Sequence, residues 1–302
     1  MIRALAERIA WKSVPDLRTS LLDKLSHAAM LAQGFEQWTS QLAGHRIQRY
    51  AQSGQGRGPA VLLVHGLNGS AASMASLIRG LAPIAPRIAL LDLPGHGLSP
   101  RPSQGPVSVV EHAAVLLAAI EELAKETGGK VALVGNSMGG ALSLSVAQLR
   151  PELIAGVVGL NPAGASVADS AVAKLPRSFP DANAGARTMA RLLFKKPPTL
   201  FWLVARDIAR GWERDIVQRV LTDVREGHHR GLSSGDRLAL RVPLYVLWGV
   251  EDQLLPLASV DEFRQIPGAR VELIEGCGHM PQLEMPAFTS ARVASFISSL
   301  TP

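Results

Sequence analysis

The chain has 302 residues, with a hydrophobic content of 47%, a charged content of 19% and a formal net charge of +6 at pH 7. These values exclude a disordered chain and are typical of one large domain, or of one domain with an inserted module, that buries a sizeable core. Because no run of Lys and Arg carries interleaved aromatic residues, and aromatic residues make up only 5% of the chain, we expect no nucleic-acid partner.

Residues 1–44 are predicted to form a helical N-terminal extension. Charges at positions 3, 7 and 8 interrupt any apolar core of a secretory signal, and no segment is typical of a membrane span, so we expect a cytoplasmic protein. The extension is expected to pack on the domain or on a second copy of the chain, with attachment to a membrane surface as the alternative. Its apolar residues recur at helical spacing, at Leu17, Leu21, Leu25, Ala28, Ala32 and Phe35.

From residue 45 onwards, apolar runs that predict strands alternate with segments that predict helices. This alternation is typical of an α/β fold with a mostly parallel central sheet, flanked by helices, whose ligands bind at the carboxyl ends of the strands. The predicted strands are His45–Ala51, at a sheet edge, then Ala60–Val64, Arg87–Leu91, Val131–Val134, Leu153–Leu160, Val242–Trp248 and Arg270–Ile274. The predicted helices are Ala72–Leu81, Val109–Thr127, Gly140–Leu149 and Ala287–Leu300.

The alternation stops between residues 163 and 236, where arginines, prolines and two tryptophans fall in helical and loop-like sequence. This segment predicts an inserted helical cap, which leaves residues 45–162 and 237–302 as the α/β core. Its apolar residues would suit an acyl chain or an aromatic group, or simply pack the cap onto the core, and Trp202 is our candidate substrate contact among them. They are Leu192, Leu193, Phe194, Leu200, Phe201, Trp202 and Leu203.

The pentad Gly135-Asn136-Ser137-Met138-Gly139 lies between a predicted buried strand and a predicted helix. A nucleophilic serine needs such a strained strand-to-helix turn, which holds its hydroxyl above the sheet and leaves room only for glycine on either side. The N-terminus of the helix favours negative charge at the reacting centre. The alternatives are a chance match in a chain with 28 glycines and a transmembrane helix over residues 131–149, against which the glycines and polar residues argue.

A serine nucleophile needs a histidine base and an acid that orients the base. Of the eight histidines, only His279 follows the pentad at the end of a predicted strand, so it is the expected base. The expected acid is Asp252, which also follows a strand, with Glu251 as the alternative. Asn161 ends the preceding strand but cannot carry the charge, which strengthens the choice of Asp252.

Two backbone N–H groups are expected to stabilise the oxyanion that forms in acyl transfer. One belongs to Met138, directly after the nucleophile, and the other to Leu67, in the loop after the second predicted strand. Asn68 is expected to support this loop or to line the substrate pocket. Asn136 and Met280, which are the neighbours of the nucleophile and the base, are further candidate substrate contacts.

In these motifs the chain resembles the α/β-hydrolase superfamily, from about residue 45 to residue 300. The order of serine, aspartate and histidine along the chain matches the order in its catalytic triad. The resemblance implies a serine hydrolase with no metal or organic cofactor, and the serine nucleophile argues against the haloalkane dehalogenase branch, which uses aspartate. The matching pieces are His65-Gly66, Asp92–Ser99, Gly135–Gly140, Trp248–Asp252 and Gly278-His279.

The expected reaction is hydrolysis of a small-molecule carboxylic ester, of the esterase or lipase type, through an acyl-enzyme. The first alternative is carbon–carbon bond cleavage by a meta-cleavage product hydrolase. That branch usually has a glycine-rich His-Gly loop and a tryptophan after the catalytic histidine, where this chain has His65-Gly-Leu-Asn-Gly69 and Met280. The second alternative is a catalytically silent binding protein.

The lone cysteine, Cys277, excludes an intrachain disulfide and a cysteine-based metal site.

Overall fold

The computed structural model describes residues 21–103, 105–165, 176–199, 201–226 and 239–300, with side chains from residue 27 onwards. Within this part of the chain, eight strands form one sheet. They are β1 (Glu36–Leu42), β2 (His45–Ser53), β3 (Ala60–Val64), β4 (Arg87–Leu91), β5 (Val131–Asn136), β6 (Ile154–Leu160), β7 (Leu244–Gly249) and β8 (Arg270–Ile274). Their order is β1-β2-β4-β3-β5-β6-β7-β8, with antiparallel pairing at β1–β2 and β2–β4 and parallel pairing elsewhere.

The central strands β3, β5, β6 and β7 are apolar runs that are buried along their whole length. Such runs are typical of parallel strands that are covered on both faces. Successive residues of β3 confirm this, because Leu62 belongs to one cluster of buried apolar side chains and Leu63 belongs to another. The predicted mostly parallel α/β sheet is therefore confirmed.

Helices cover both faces of the sheet and supply the two apolar clusters. The longest described helix, Val109–Thr127, begins at a capping box between Ser108 and Glu111 and ends at Gly128, whose φ of 70° no longer continues a helix. None of the described helices is both long and apolar enough to cross a membrane. The helices are α1 (Leu21–Ala32), α2 (Ile78–Leu81), α3 (Val109–Thr127), α4 (Met138–Leu149), α5 (Ala182–Leu193), α6 (Phe201–Trp212), α7 (Asp215–Arg225), α8 (Ser259–Arg264), α9 (Pro281–Glu284) and α10 (Pro286–Ser298).

The prediction of a helical extension over residues 1–44 is wrong for its last part. α1 ends at Ala32, and Gly34, with a φ of 83°, has the left-handed conformation that commonly follows a helix. Glu36–Leu42 is a strand in which every second residue from Trp38 onwards is shielded from solvent, as the pleat requires. Because β1 pairs with β2, the segment predicted as an edge strand is the second strand of the sheet.

The first helix, α1, packs on its own chain. The Nδ1 atom of His27 lies 3.2 Å from the hydroxyl oxygen of Tyr50, and Met30 is buried in an apolar cluster with strand and helix residues of the core. Residues 1–20 lie outside the described part of the chain. Contact of the N-terminal extension with a membrane or a second copy therefore stays a prediction.

In the described residues between β6 and β7, where the sequence predicts the cap, there are three helices, α5, α6 and α7. We call residues 182–225 the insertion; the division of the chain at residues 163 and 236 stays a prediction. The side chain of Asp181 caps α5 by accepting the N–H groups of Asn183 and Ala184, at 2.7 and 2.8 Å. Apolar residues of all three described helices form one buried cluster with Val107 and Leu254 of the core, so the insertion is packed down and not free-standing.

Candidate active site

The serine of the pentad lies at a strained turn between β5 and α4. Ser137 has a φ of 54° and a ψ of −119°, a conformation that costs free energy in a residue with a side chain. A Cβ atom at Gly139 would overlap the carbonyl oxygen of Val64, and one at Gly135 would overlap the carbonyl oxygen of Gly139. The prediction that both flanks of this turn require glycine is therefore confirmed.

The predicted base and acid form a buried pair. Nδ1 of His279 lies 2.7 Å from Oδ2 of Asp252, and neither side chain is more than marginally exposed to solvent. The other carboxylate oxygen, Oδ1, accepts the N–H groups of Leu254 and Leu255 at 2.7 and 3.0 Å. A carboxylate held by several donors has a fixed orientation, and it fixes the imidazole ring in turn.

The loop after β8 that contains His279 is called the histidine loop. The alternative acid, Glu251, contacts the part of this loop that precedes His279. Its carboxylate accepts the N–H groups of Gly276 and Cys277 at 3.2 and 3.1 Å, while the ring of His279 contacts Asp252. The alternative is therefore wrong, and Glu251 holds the loop instead.

Burial raises the pKa of the Cys277 thiol to about 12, so this cysteine stays protonated and is a poor nucleophile.

Asn161 is a site residue that the sequence reasoning missed. Its Nδ2 donates to Oδ2 of Asp252 at 2.7 Å, and its Oδ1 accepts the N–H of Gly249 at 3.0 Å. Its φ of 41° is uncommon for a residue other than glycine. The sequence excludes Asn161 as the acid because an amide carries no charge. Its position at the end of β6, next to β7, is the signal that it supports the acid instead.

Asn136 has its amide group committed to the protein. Its Nδ2 donates to the carbonyl oxygens of Leu160 and His279, at 2.9 and 3.1 Å, and the residue is almost fully buried although it borders the cavity described next. Asn136, which the sequence offers as a substrate contact, instead joins the backbone of His279 to the turn after β5 by a hydrogen bond. Met280 lies on the cavity wall.

A cavity of about 540 Å³ brings most of the candidate residues together. Ser137 and His279 both line it, and the rest of its wall is mainly apolar. Among the described residues, no Asp, Glu, Lys or Arg lines the cavity. The core contributes Val109, Leu142, Leu254 and Leu255, and the insertion contributes Leu193, Phe194, Phe201, Val204, Ile208 and Trp212.

The prediction that Trp202 contacts the substrate is wrong. Its side chain is 53% exposed and does not line the cavity, whereas its neighbour Phe201 does. Successive residues of a helix point about 100° apart, and the direction of Trp202 leads to solvent in α6. Trp212, three helical turns further along α6, faces the cavity instead.

The two candidate oxyanion donors lie beside Ser137. Leu67 and Met138 both line the cavity with Ser137, and the loop of Leu67 approaches closely, since a Cβ atom at Gly66 would lie 3.1 Å from the Cβ of Ser137. Within the described residues, neither N–H group donates a hydrogen bond outside the regular helices and strands. An amide in the first turn of a helix has no intrahelical acceptor, which leaves the N–H of Met138 available.

Buried histidines hold the loop of Leu67 in place. Nδ1 of His65 lies 2.7 Å from the carbonyl oxygen of Gly66, and its Nε2 accepts the N–H of Leu93 at 3.0 Å, so the ring carries its proton on Nδ1. Burial lowers the pKa of His65 to about 4 and lowers the pKa of the adjacent His96 as well. His65 therefore holds this loop by hydrogen bonds at both ring nitrogens.

Asn68 connects the same loop to the insertion. Its Nδ2 donates to the carbonyl oxygen of Ile208 at 2.8 Å, and its Oδ1 accepts a hydrogen bond from Arg214 at 3.1 Å. Asn68 thus supports the loop and also lines the cavity, and its contact with a substrate stays a prediction. The insertion is therefore hydrogen-bonded to a loop that borders Ser137.

The insertion also contacts the histidine loop. The N–H of His279 donates to the carbonyl oxygen of Leu193 at 3.0 Å. The carboxylate of Glu284 accepts the N–H groups of Lys195, Lys196 and Gly278 at 3.0 to 3.1 Å. One carboxylate thus joins the connection between α5 and α6 to the residue before His279.

Residues 59–286 match the family described as alpha/beta hydrolase fold. The dihydrolipoyllysine-residue acetyltransferase component of the acetoin cleaving system of Cupriavidus necator is 28% identical over 246 residues, covering 78% of this chain and 62% of that protein. Lipase 1 of Psychrobacter immobilis is 27% identical over 266 residues, covering 83% of this chain and 80% of that protein. Among solved structures, a membrane phospholipase A superposes with a TM-score of 0.76 at 21% identity, covering 92% of this chain and 93% of that chain.

The chain belongs to the α/β-hydrolase family, since the family match spans most of its length. The chain spans about three fifths of the length of the acetyltransferase component that it matches. The strand order, the turn at Ser137 and the pair of His279 and Asp252 place a hydrolase-type site at the carboxyl ends of the parallel strands.

Proposed function

We propose that this chain is a serine hydrolase that cleaves carboxylic esters through an acyl-enzyme. Ser137 is the nucleophile, His279 is the general base and Asp252 orients the base. The observation that carries the proposal is the cavity, whose mainly apolar wall contains both Ser137 and His279, with Asp252 bound to the imidazole at 2.7 Å. A lipase among the sequence relatives adds support to hydrolysis of an ester.

The proposed reaction begins with proton transfer. Because Nδ1 of His279 is used by Asp252, Nε2 is the atom that takes the proton of the Ser137 hydroxyl. The serine oxygen then attacks the ester carbonyl, and the N–H groups of Leu67 and Met138 stabilise the oxyanion. His279 returns the proton to the leaving alcohol, and water repeats the sequence on the acyl-enzyme. Each oxyanion donor contributes about 3 kcal/mol to lowering the barrier.

The test is hydrolysis of p-nitrophenyl esters of increasing acyl length by the wild type and by Ser137→Ala. We expect turnover by the wild type and a loss of about 10⁴- to 10⁶-fold in kcat for the variant. Ser145→Ala is the matched control, because Ser145 lies on the same cavity wall but bonds only to the carbonyl oxygen of Ala141. It should keep most of the activity.

The outcome of the ester series separates the alternatives. A folded wild type that hydrolyses no ester would contradict the proposal and leave carbon–carbon cleavage of vinylogous diketones as the next reaction to assay. Turnover that survives Ser137→Ala would remove this serine from the mechanism. Binding of an ester without turnover would instead indicate a silent binding protein.

A further inference from the structure

The insertion exposes apolar side chains at its outer surface, at the beginning of α6. Trp202 is 53% exposed and Leu203 is 78% exposed, and they are neighbours in the first turn of the helix. Leu203 also lines the cavity that contains Ser137, so the exposed apolar surface is continuous with the cavity wall. Isolated exposed leucines need no explanation, but an adjacent Trp-Leu pair at a cavity rim is typical of contact with another apolar phase.

Basic residues surround this apolar pair. Lys195 and Lys196 are exposed in the connection just before α6, and Arg206 and Arg210 are exposed one and two turns after Trp202, on the same side of the helix. Between residues 181 and 214, seven Lys and Arg oppose three Asp and Glu. One of those three, Asp207, is paired with Arg210 at 3.5 Å. The outer surface of the insertion is therefore strongly positive as well as locally apolar.

We propose that the chain docks on an anionic lipid surface through this part of the insertion, which we call the docking surface: Lys195, Lys196, Trp202, Leu203, Arg206 and Arg210. An amphipathic helix with an aromatic residue and basic neighbours binds at the boundary between headgroups and acyl chains, where the rings and aliphatic side chains enter and the cations contact anionic headgroups. An anionic lipid surface has negative headgroups and an apolar interior. It therefore matches both the basic residues and the apolar pair of the docking surface.

The proposal rests on the proposed function in one respect. If the chain hydrolyses esters, docking at the docking surface places the cavity rim at Leu203 against the lipid, so that an apolar substrate enters the cavity without crossing water. The free-energy cost of moving an acyl chain through water rises with each methylene group, so this arrangement gains most for long-chain esters. The docking itself requires no catalysis and is measured separately.

The experiment measures binding of the full chain to vesicles of phosphatidylcholine alone and of phosphatidylcholine with added phosphatidylglycerol. The Ser137→Ala background prevents hydrolysis of the lipids during co-sedimentation. We expect tight binding only when phosphatidylglycerol is present. Lys195→Gln with Lys196→Gln should weaken it about 30-fold, and Trp202→Ser should weaken it about tenfold.

Matched controls carry the same changes elsewhere on the surface. Leu149→Ser removes an exposed apolar side chain from α4, and Arg57→Gln with Arg101→Gln removes two exposed cations, so these variants should bind as the wild type does. Equal binding to both kinds of vesicle, absence of binding, or full binding by the lysine and tryptophan variants would overturn the proposal. The last result would assign membrane attachment to another segment, such as the N-terminal extension.

Failure of the docking proposal is distinguishable from failure of the proposed function. Hydrolysis of a water-soluble p-nitrophenyl ester reports the chemistry alone, and the lysine pair and Trp202 do not line the cavity in which it occurs. Their variants should therefore keep the kcat/KM of the wild type on that substrate. Soluble turnover without vesicle binding rejects docking only, and vesicle binding without turnover rejects ester hydrolysis only.

Discussion

At the scale of single residues, the position of Asp252 depends on a neutral side chain. Asn161 donates to the carboxylate oxygen that also contacts His279, so it both neutralises part of the negative charge and fixes its direction. A hydrogen bond to a charged group contributes about 1.5 to 3 kcal/mol. The loss of this bond should therefore affect the orientation of the imidazole as well as the stability of the fold.

We predict that Asn161→Gly lowers kcat for ester hydrolysis about tenfold or more, with a smaller change in KM. Glycine accepts the φ of 41° without strain, so the variant removes the amide and not the backbone conformation. Steady-state kinetics and urea unfolding of the two proteins check this, with an expected loss of about 1 to 3 kcal/mol in the free energy of unfolding. An unchanged kcat would show that Asp252 needs no support from Asn161.

The site residues that the sequence predicts are those at the ends of strands. Ser137 and His279 come together at the cavity because parallel strands end at the same edge of a sheet, a rule that needs no knowledge of side-chain packing. Asn161 was missed because its role depends on β6 lying beside β7, a contact between residues about 90 positions apart in the chain. The place of Trp202 could not be predicted because the direction in which each residue of α6 points depends on how the helix packs on the core, which the sequence does not give.

At the scale of secondary-structure elements, the turn between β5 and α4 depends on the lack of side chains around it. Gly139 lies against the carbonyl oxygens of Val64 and His65, so a methyl group there must displace the end of β3. That displacement would move the loop of Leu67, which follows β3 directly. The stability of the turn and the position of Leu67, a proposed oxyanion donor, are therefore coupled through one glycine.

We predict that Gly139→Ala destabilises the fold by about 1 to 3 kcal/mol and reduces ester hydrolysis strongly. Gly129→Ala is the control, because no atom lies within 4 Å of a Cβ atom at that position. Thermal unfolding and p-nitrophenyl ester turnover of both variants check the prediction. Equal stability of the two variants would mean that the turn adapts to a side chain at no cost.

The sequence predicts best those helices and strands whose apolar residues follow one clear pattern along the chain. Arg87–Leu91, Val109–Thr127 and Arg270–Ile274 have the predicted bounds, since apolar runs and cap residues define them locally. β1 was assigned to a helix because its alternation is weak: only Leu42 is fully buried and the other residues are exposed or half-buried. An edge strand gains its hydrogen bonds from its neighbour, here β2, and that information is not local.

At the scale of the whole molecule, buried histidines make the stability depend on pH. The rings of His65, His96 and His112 lie in a row, with centroids 5.3 and 5.7 Å apart. Burial lowers the pKa of each of them, to about 4 for His65, and the positive charge of Arg214 nearby lowers the pKa of His65 and His96 further. The folded chain therefore holds these rings neutral at a pH where the unfolded chain protonates them.

We predict that the free energy of unfolding falls as the pH is lowered from about 6.5 towards 4. In this window the unfolded state binds more protons than the folded state, so stability rises with pH, and His65 alone contributes about 3 kcal/mol across it. Urea unfolding at pH 8, 6.5 and 5 checks this. The lowest of these values still lies above the pKa of the surface carboxylates, so a flat stability between pH 6.5 and 5 would contradict neutral burial of the histidine row.

Among the described residues, the wall of the cavity carries no Asp, Glu, Lys or Arg side chain. A substrate chain that enters it meets no cationic side chain among the described residues, so a carboxylate at the end of the chain would be buried without a partner. Such burial costs several kcal/mol.

For a p-nitrophenyl monoester of octanedioic acid we therefore expect a kcat/KM at least about 100-fold below that of the octanoate ester. The control is the mixed diester, in which the p-nitrophenyl ester is kept and the free carboxyl group is methylated. It has nearly the same length without the charge, so it should react nearly as well as the octanoate ester. Equal rates for the acid and its methyl ester would mean that the end of the chain stays in water, outside the cavity.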